Sequence, residues 1–204
     1  MDLSYLKGTR IITLDIESTG LNVNKAYVRE LGAAEYVDGK YVKGRSALFS
    51  GGVCEPGALN VHGISDESVK GKPSFMSKTA AFCGFVSENG VVADIMGHNV
   101  LKYDLPVIRR FLLANGHDIK GNGPNGEIRV IDTLLLAKRN FQFPNNKLGT
   151  ICSIFGIEYG KHRALGDAKC TWEVFLNLME QMQCKDLSQV FELVSQESKE
   201  SQES

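Results

Sequence analysis

The chain has 204 residues, of which 43% are hydrophobic and 23% charged, and its formal net charge is −1. This length fits one ordinary domain, and these fractions are typical of a globular protein with a sizeable core, which excludes wholesale disorder. A charge so close to zero argues against a protein that coats nucleic acid by bulk electrostatics. It does not exclude an enzyme that grips phosphates through bound metal ions.

Neither the apolar runs nor the cysteines indicate a membrane protein, a secreted protein or a zinc site. No apolar stretch approaches the roughly 20 residues that cross a bilayer, and the N-terminal MDLSYLKGTR lacks the pattern of a secretory signal. The five cysteines are scattered, with no C-x-x-C pair and no zinc-like Cys/His spacing. We therefore expect a cytoplasmic protein in a reducing compartment, with unpaired thiols and no membrane contact.

The first half of the chain predicts three strands and then a loop. Residues 10–17 (RIITLDIE) have the β-branched composition of a short buried strand. Residues 30–37 and 40–49 predict a hairpin, because the Asp-Gly pair between them is a strong two-residue turn signal. Residues 51–74 are rich in glycine and contain two prolines, which predicts a loop.

In the second half, helices alternate with strands. Apolar spacing predicts helices over 77–87, 104–114, 133–139 and 164–182. Asn145 or Asn146 is expected to cap a further helix that Gly156 closes. Strands are predicted over 91–96 and 128–131, a turn-rich loop over 121–127, and a last short helix from the apolar residues at 187, 190, 191 and 194.

This order of elements predicts an α/β fold in which a mixed sheet is covered by helices. The fourth strand is expected to lie beside the first. We place one domain over residues 1–185 and expect 186–204 to be a short helix and a disordered polar tail. The short helix could dock on its own core or on another chain.

Two acidic residues of the first strand carry the first chemical signal. Asp15 and Glu17 are two apart, so both carboxylates face the same side, while Ile12, Leu14 and Ile16 face the other. Two carboxylates on one face of a buried strand repel each other and lose hydration. A divalent cation between them is the simplest remedy. The alternative is a strand end whose acids are solvated or paired with arginine or lysine.

Three further residues lie at predicted element ends. Asp104 begins a helix and would reach the edge that holds Asp15 and Glu17, where ligands of open α/β sheets gather. It could instead be a plain N-terminal cap. His162 and Asp167 bracket the start of the last long helix; alternatively, the aspartate only complements the helix dipole and the histidine is an exposed loop residue.

Five segments together resemble the motifs of a known family. They are LDIESTGL (14–21), NVHGIS (60–65), GHNVLKYDLPVIRR (97–110), VIDTLLLAKR (130–139) and HRALGDAKCT (162–171). In this order they are similar to the DEDDh, or DnaQ-like, 3′→5′ exonucleases, which include the proofreading subunit of bacterial replicative polymerase. The VLKYD that follows the His-Asn pair departs from the commoner pattern of small residues and Phe-Asp, but the aspartate spacing is intact.

The resemblance implies an RNase H-like fold, with a mixed five-stranded sheet flanked by helices, over residues 1–185. It implies that Asp15, Glu17, Asp104 and Asp167 hold two divalent ions, Mg²⁺ or Mn²⁺, and that His162 is the general base. Two such ions can stabilise the attacking and the leaving oxygen of an in-line phosphodiester displacement, and histidine titrates near working pH.

By the same resemblance, a group of residues is expected to bind the substrate: Ser18, Thr19, Gly20, Leu21, His62, Ile64 and Asn99. The first three would meet the terminal nucleotide, and Leu21 and Ile64 would wedge against the last bases. Ordinary packing remains the alternative for the apolar pair, and a structural role for the histidine. Asn99 is expected to shape the turn before Asp104.

The function so implied is release of nucleoside monophosphates from DNA 3′ ends, alone or as a proofreading module with a polymerase or another protein partner. One alternative is an exoribonuclease that trims RNA ends, because 2′-OH contacts cannot be inferred from spacing. Two others are a non-catalytic binding or scaffold module on the same fold, and an endonuclease or integrase relative.

Overall fold

A five-stranded sheet forms the centre of the computed structural model, which describes residues 2–88, 91–119, 123, 128–160 and 163–192. The strands of these residues, in chain order, are β1 (Arg10–Ser18), β2 (Val28–Val37), β3 (Lys40–Leu48), β4 (Ser87–Glu88), β5 (Val91–Val92), β6 (Asp94–Gly97) and β7 (Val130–Asp132). The main sheet has the order β3-β2-β1-β6-β7, while β4 and β5 pair only with each other.

Strand directions confirm the predicted mixed sheet. β1 is antiparallel to β2, and β2 to β3, whereas β6 runs parallel to both β1 and β7. The predicted hairpin turn is present: Asp38 and Gly39 have φ values of 52° and 77°, and an Asp-Gly pair adopts this left-handed backbone readily. The fourth predicted strand lies beside the first, as expected.

Helices cover both faces of the sheet. Those of the described residues are α1 (Pro56–His62), α2 (Thr79–Val86), α3 (Asp104–Ala114), α4 (Thr133–Asn140), α5 (Leu148–Ile154) and α6 (Ala164–Gln181). Short 3₁₀ turns lie at Ser4–Leu6, Glu67–Val69 and Phe75–Lys78, and residues 187–192 are also helical. Within the described ranges, no helix combines the length and the apolar character that spanning a bilayer requires.

Two buried apolar clusters hold these layers together, one on each face of the sheet. Ile11 belongs to the cluster under α4, α5 and α6, whereas Ile12 and Leu14 belong to the cluster with α2 and α3. This alternation follows from the two-residue period of a strand. Leu187 and Val190 are buried in the first cluster, so the last short helix docks on the core of its own chain.

The prediction of a loop over residues 51–74 was wrong at its centre, where α1 lies. Pro56 occupies the first helical turn, where its missing N–H costs nothing, and Gly63 ends the helix with a φ of 70°. The N–H of Gly63 donates to the Leu59 carbonyl at 2.8 Å. Proline and glycine therefore mark the two ends of a short helix here rather than a continuous loop.

Two smaller predictions also need correction. The strand expected over 91–96 is two strands, because the Ala93 N–H donates to Val86 at 3.0 Å and only β6 joins the main sheet. The N-terminal flanking residue of α5 is Lys147, whose N–H binds the Asn145 side chain ahead of the helix. The predicted loop at 121–127, except residue 123, and the tail from 193 onward lie outside the described residues.

Candidate metal centre

Three carboxylates meet at the end of β1. Asp15 and Glu17 point to the same side of the strand, and Asp167 reaches them from the first turn of α6, which packs across β1 and β2. One ligand atom from each residue lies within 4.8 Å of the others. The structure thus brings together residues that are 150 positions apart along the chain.

The fourth predicted acid lies beside this group. Asp104 is the first residue of α3, and it reaches β1 because β6, which precedes α3, runs parallel to β1. Its Oδ1 accepts a hydrogen bond from the Ile16 N–H at 2.9 Å. Asp104 is 4% exposed, so this bond ties a buried carboxylate to the strand between Asp15 and Glu17.

Burial raises the pKa of all four carboxyl groups, and the charges of neighbouring carboxylates add to the rise. Loss of hydration raises the pKa of Asp15 well above its usual range, and the charges of Asp104, Asp167 and Glu17 raise it further. Burial is also the largest cause for the other three residues: it raises the pKa of Glu17 and of Asp104 to about 7, and that of Asp167 to about 6. A bound cation would relieve this repulsion.

The donor set fits a hard divalent cation. Carboxylate oxygens are the ligands that Mg²⁺ and Mn²⁺ prefer. Asp167 Oδ2 accepts a hydrogen bond from the Tyr159 hydroxyl at 3.2 Å. Its Oδ1 is buried and has no hydrogen-bond partner among the described residues. A buried carboxylate oxygen without a partner, in a residue that lies among other carboxylates, is well suited to a metal ion.

His162, the predicted general base, lies outside the described residues. The chain is described again from Arg163, directly before α6. Its assignment as the base therefore stays a prediction.

Residues 18–20, which are predicted to meet the terminal nucleotide, directly follow Glu17 at the edge of the carboxylate group. Ser18 Oγ donates to the Gly20 carbonyl at 3.0 Å. Thr19 exchanges two bonds with Tyr27, one through its backbone N–H and one through its hydroxyl, each 2.9 Å long. The Tyr103 hydroxyl also contacts Ser18 Oγ and the Gly20 carbonyl. These bonds hold the segment rigidly at the rim of the carboxylate group.

The other predicted substrate residues differ in exposure. Leu21 is 87% exposed and stands free for a contact with a base, whereas Ile64 is only 7% exposed. His62 is buried: its Nε2 lies 3.1 Å from the Ser18 carbonyl, and its Nδ1 accepts the Ile64 N–H at 2.9 Å. His62 therefore supports the Ser18 segment from behind, while contact of these residues with substrate stays a prediction.

Asn99 lies in the turn that leads to Asp104. It has a φ of 71°, a backbone conformation that asparagine tolerates better than most residues. Its N–H donates to Asp132 Oδ1 at 3.0 Å, and its carbonyl accepts the N–H groups of Lys102 and Tyr103. The expected shaping of this turn is thus present.

Two residues near the site were missed by the sequence reasoning. Glu30 lies opposite Glu17 in the β1–β2 register and is 1% exposed. Tyr159 donates to Asp167, and burial raises the pKa of its hydroxyl. The only available signal for Glu30 was its position in the second strand of a predicted hairpin, and nothing in the sequence pointed to Tyr159.

Comparisons with known proteins agree with this geometry. The model of the exonuclease family (RNase_T) matches residues 12–175. DNA polymerase III subunit epsilon of Haemophilus influenzae is 29% identical over 178 residues, covering 82% of this chain and 66% of the subunit. The same subunit of Escherichia coli is 29% identical over 184 residues, covering 82% of this chain and 70% of the subunit.

Solved structures show the same fold. Escherichia coli exonuclease I in complex with a dT13 oligonucleotide superposes with a TM-score of 0.72 at 16% identity, covering 84% of this chain and 41% of that chain. The exonuclease I of Methylocaldum szegediense superposes with a TM-score of 0.74 at 15% identity, covering 87% of this chain and 42% of that chain. The chain spans about two fifths of the length of these enzymes. The predicted RNase H-like architecture is confirmed.

Proposed function

Because the chain belongs to the exonuclease family, we propose that it is a metal-dependent 3′→5′ exonuclease that releases nucleoside monophosphates from DNA 3′ ends. The observation that carries this proposal is the convergence of Asp15, Glu17 and Asp167 within 4.8 Å, on the edge where ligands of α/β sheets bind. The epsilon subunits and the DNA-bound exonuclease I among its relatives favour DNA over RNA as the substrate.

The four carboxylates are proposed to hold two divalent cations, Mg²⁺ or Mn²⁺. Asp15, Glu17 and Asp167 supply one group of oxygens, and Asp104 stands beside them. When bound, such cations lower the pKa of an attacking water and offset charge on the phosphodiester and on the leaving 3′-oxygen. Four negative ligands against two doubly charged ions leave the site near neutral, so that an anionic strand can approach.

The remaining roles belong to residues of this chain. His162 accepts the proton of the attacking water, since its ordinary pKa lies near working pH. Ser18, Thr19 and Gly20 meet the 3′ end of the strand, and Leu21 and Ile64 contact the last bases. The bonds that hold Ser18 and Thr19 against Tyr103 and Tyr27 support this proposal, because a rigid segment positions a terminal nucleotide precisely.

The wider setting is also proposed. We assign residues 1–185 to the exonuclease domain and 186–204 to the segment that follows it, in which the described residues 187–192 are helical. The names of the epsilon subunits support a polymerase or other protein partner. An intracellular, reducing compartment is supported by the five cysteines, all of which are free thiols.

The test uses oligonucleotides of equal sequence with a labelled 3′ end, as DNA and as RNA, with Mn²⁺ or Mg²⁺. We expect mononucleotide release from DNA, slower release from RNA, and no attack on a closed circular single strand. Asp15→Asn should reduce release to background while the thermal transition persists. The matched control is Asp94→Asn, which neutralises an acid at the other end of β6 and should retain activity.

An Asp15→Asn variant with activity within about tenfold of the parent would contradict the metal assignment, because that loss corresponds to only ~1.4 kcal/mol of barrier. Cleavage of the circular strand would exclude an exonuclease. Absence of metal-dependent release from every substrate would favour a non-catalytic binding module.

A further inference from the structure

Arg163 carries an ion pair directly beside the carboxylate group. Its Nη2 lies 3.0 Å from Glu30 Oε1, and its Nε lies 3.2 and 3.3 Å from the two carboxylate oxygens. The Nε–Nη2 edge of the planar guanidinium therefore donates its hydrogen bonds to the Glu30 carboxylate. Within the described part of the chain, no group accepts a hydrogen bond from Nη1, and the side chain is 66% exposed. The other edge of the guanidinium thus faces solvent.

Glu30 is itself held in place from several sides. It is 1% exposed, and Ser46 Oγ donates to its Oε1 at 2.7 Å. The Ala164 N–H approaches its Oε2 at 3.4 Å. Burial raises the pKa of this carboxyl, but the Arg163 and Ser46 hydrogen bonds outweigh it, so the pKa lies below its usual value. Glu30 is therefore an ionised, immobile anchor for the guanidinium.

This anchor holds a positive charge beside Glu17, one of the clustered carboxylates. Glu30 pairs with Glu17 across β1 and β2, and the charge of Arg163 acts on Glu17. The Arg163 carbonyl also accepts the N–H of Asp167 at 3.0 Å, which joins Arg163 to the first turn of α6. A guanidinium whose free edge is pre-oriented loses little side-chain entropy when it binds an oxyanion.

We propose that Arg163 binds a phosphate oxygen of the nucleic-acid strand and that Glu30 is the positioning residue that orients the Arg163 guanidinium. The inference rests on the proposed function, which supplies the strand as substrate. The exposed edge offers two parallel N–H groups, which match phosphate geometry.

Strand binding is measured separately from hydrolysis. Fluorescence anisotropy of labelled dT12 in EDTA gives a dissociation constant for the full chain over a range of salt concentrations, and KM is measured with Mn²⁺. Arg163→Gln should weaken binding and raise KM about tenfold. It should also reduce the slope of log affinity against log salt by about 0.7, the value for one phosphate contact on a single strand. Arg163→Lys should retain the slope but not the full affinity.

The Glu30→Gln variant distinguishes two effects of Glu30 on strand binding: orientation of the Arg163 guanidinium and the overall charge of the site. It removes a negative charge, so simple electrostatics predicts tighter binding, whereas loss of the anchor predicts weaker binding and a higher KM. Asp94→Asn is the matched control, because it removes the buried partner of Arg129 at the opposite end of the sheet with the same change in charge. Its dissociation constant should stay within twofold of the parent.

Tighter binding by Glu30→Gln, or an unchanged salt slope in Arg163→Gln, would overturn the inference. Electron paramagnetic resonance measures Mn²⁺ binding in the absence of nucleic acid. The Arg163→Gln variant should still bind Mn²⁺ in this measurement. A parent protein that binds dT12 through Arg163 but releases no nucleotide would refute the proposed hydrolysis and leave the phosphate contact standing.

Discussion

Replacing Gly32 with alanine should displace the helix that carries Asp167. Gly32 lies opposite Asp15 in the β1–β2 register, and the first turn of α6 crosses directly over it. A Cβ at this position would lie 2.0 Å from the Leu165 nitrogen and 2.1 Å from the Ala164 carbonyl carbon. These are backbone atoms, so no side-chain rotation can relieve the clash.

The size of the effect follows from these distances. Ordinary contact begins at 3.4 Å, so the start of α6 must retreat by about 1.4 Å. Asp167 lies in this turn and would move away from Asp15 and Glu17. A displacement of about 1 Å at a catalytic group can cost ~10²-fold in rate. Overpacking of this kind also destabilises a fold by about 1–3 kcal/mol.

The assay combines Mn²⁺-dependent nucleotide release with urea unfolding, so that lost activity and lost folding are separated. Gly84→Ala is the matched control, because a Cβ there meets nothing within 4 Å and Gly84 lies inside α2. We expect that control to keep its activity and to gain roughly 0.8–1 kcal/mol from helix propensity. A folded Gly32→Ala protein with activity within threefold of the parent would refute the reasoning.

Two further predictions concern protons. In the metal-free protein, Glu17 and Asp104 have a pKa of about 7 and Asp167 of about 6, against roughly 4 in an unfolded chain. These three groups therefore bind more protons in the folded state, so their contribution to stability is full below about pH 4 and is lost as pH rises through 6 and 7. Melting temperatures in EDTA should decrease from pH 5 to 7.5, and a flat or rising curve would argue against the carboxylate repulsion described above. His162→Ala should slow turnover by about 10²–10⁴-fold while Mn²⁺ binding persists, and an unchanged rate would remove His162 from the mechanism.

Local sequence patterns were sufficient to predict most of the helices and strands. The β-branched composition of 10–17 predicted a buried strand, the two-residue period of a strand placed Asp15 and Glu17 on one face, and the Asp-Gly pair predicted the hairpin. The helix over 104–114 has the predicted bounds. These features depend on periods and turn preferences of a few residues, which a sequence displays directly. The prediction of a continuous loop over residues 51–74 was wrong because proline and glycine mark both loops and the ends of short helices.

The family motifs extended the prediction to the site, because they named four acids that lie far apart in the chain. The closeness of Asp15, Glu17 and Asp167, and the partly separate position of Asp104, were decided by the packing of α6 and α3 against β1. The close approach of α6 depends on the missing side chain of Gly32, which composition alone does not reveal.

The sequence by itself determined which residue types were available for metal and phosphate chemistry and which face of β1 presents them. Only the tertiary structure decided which charges meet. Glu30 and Arg163 are 133 positions apart and form an ion pair, and Tyr159 donates to Asp167 in the first turn of α6. Pairings of this kind depend on strand register and helix docking, which minimise the burial of unpaired charge over the whole fold rather than within any one segment.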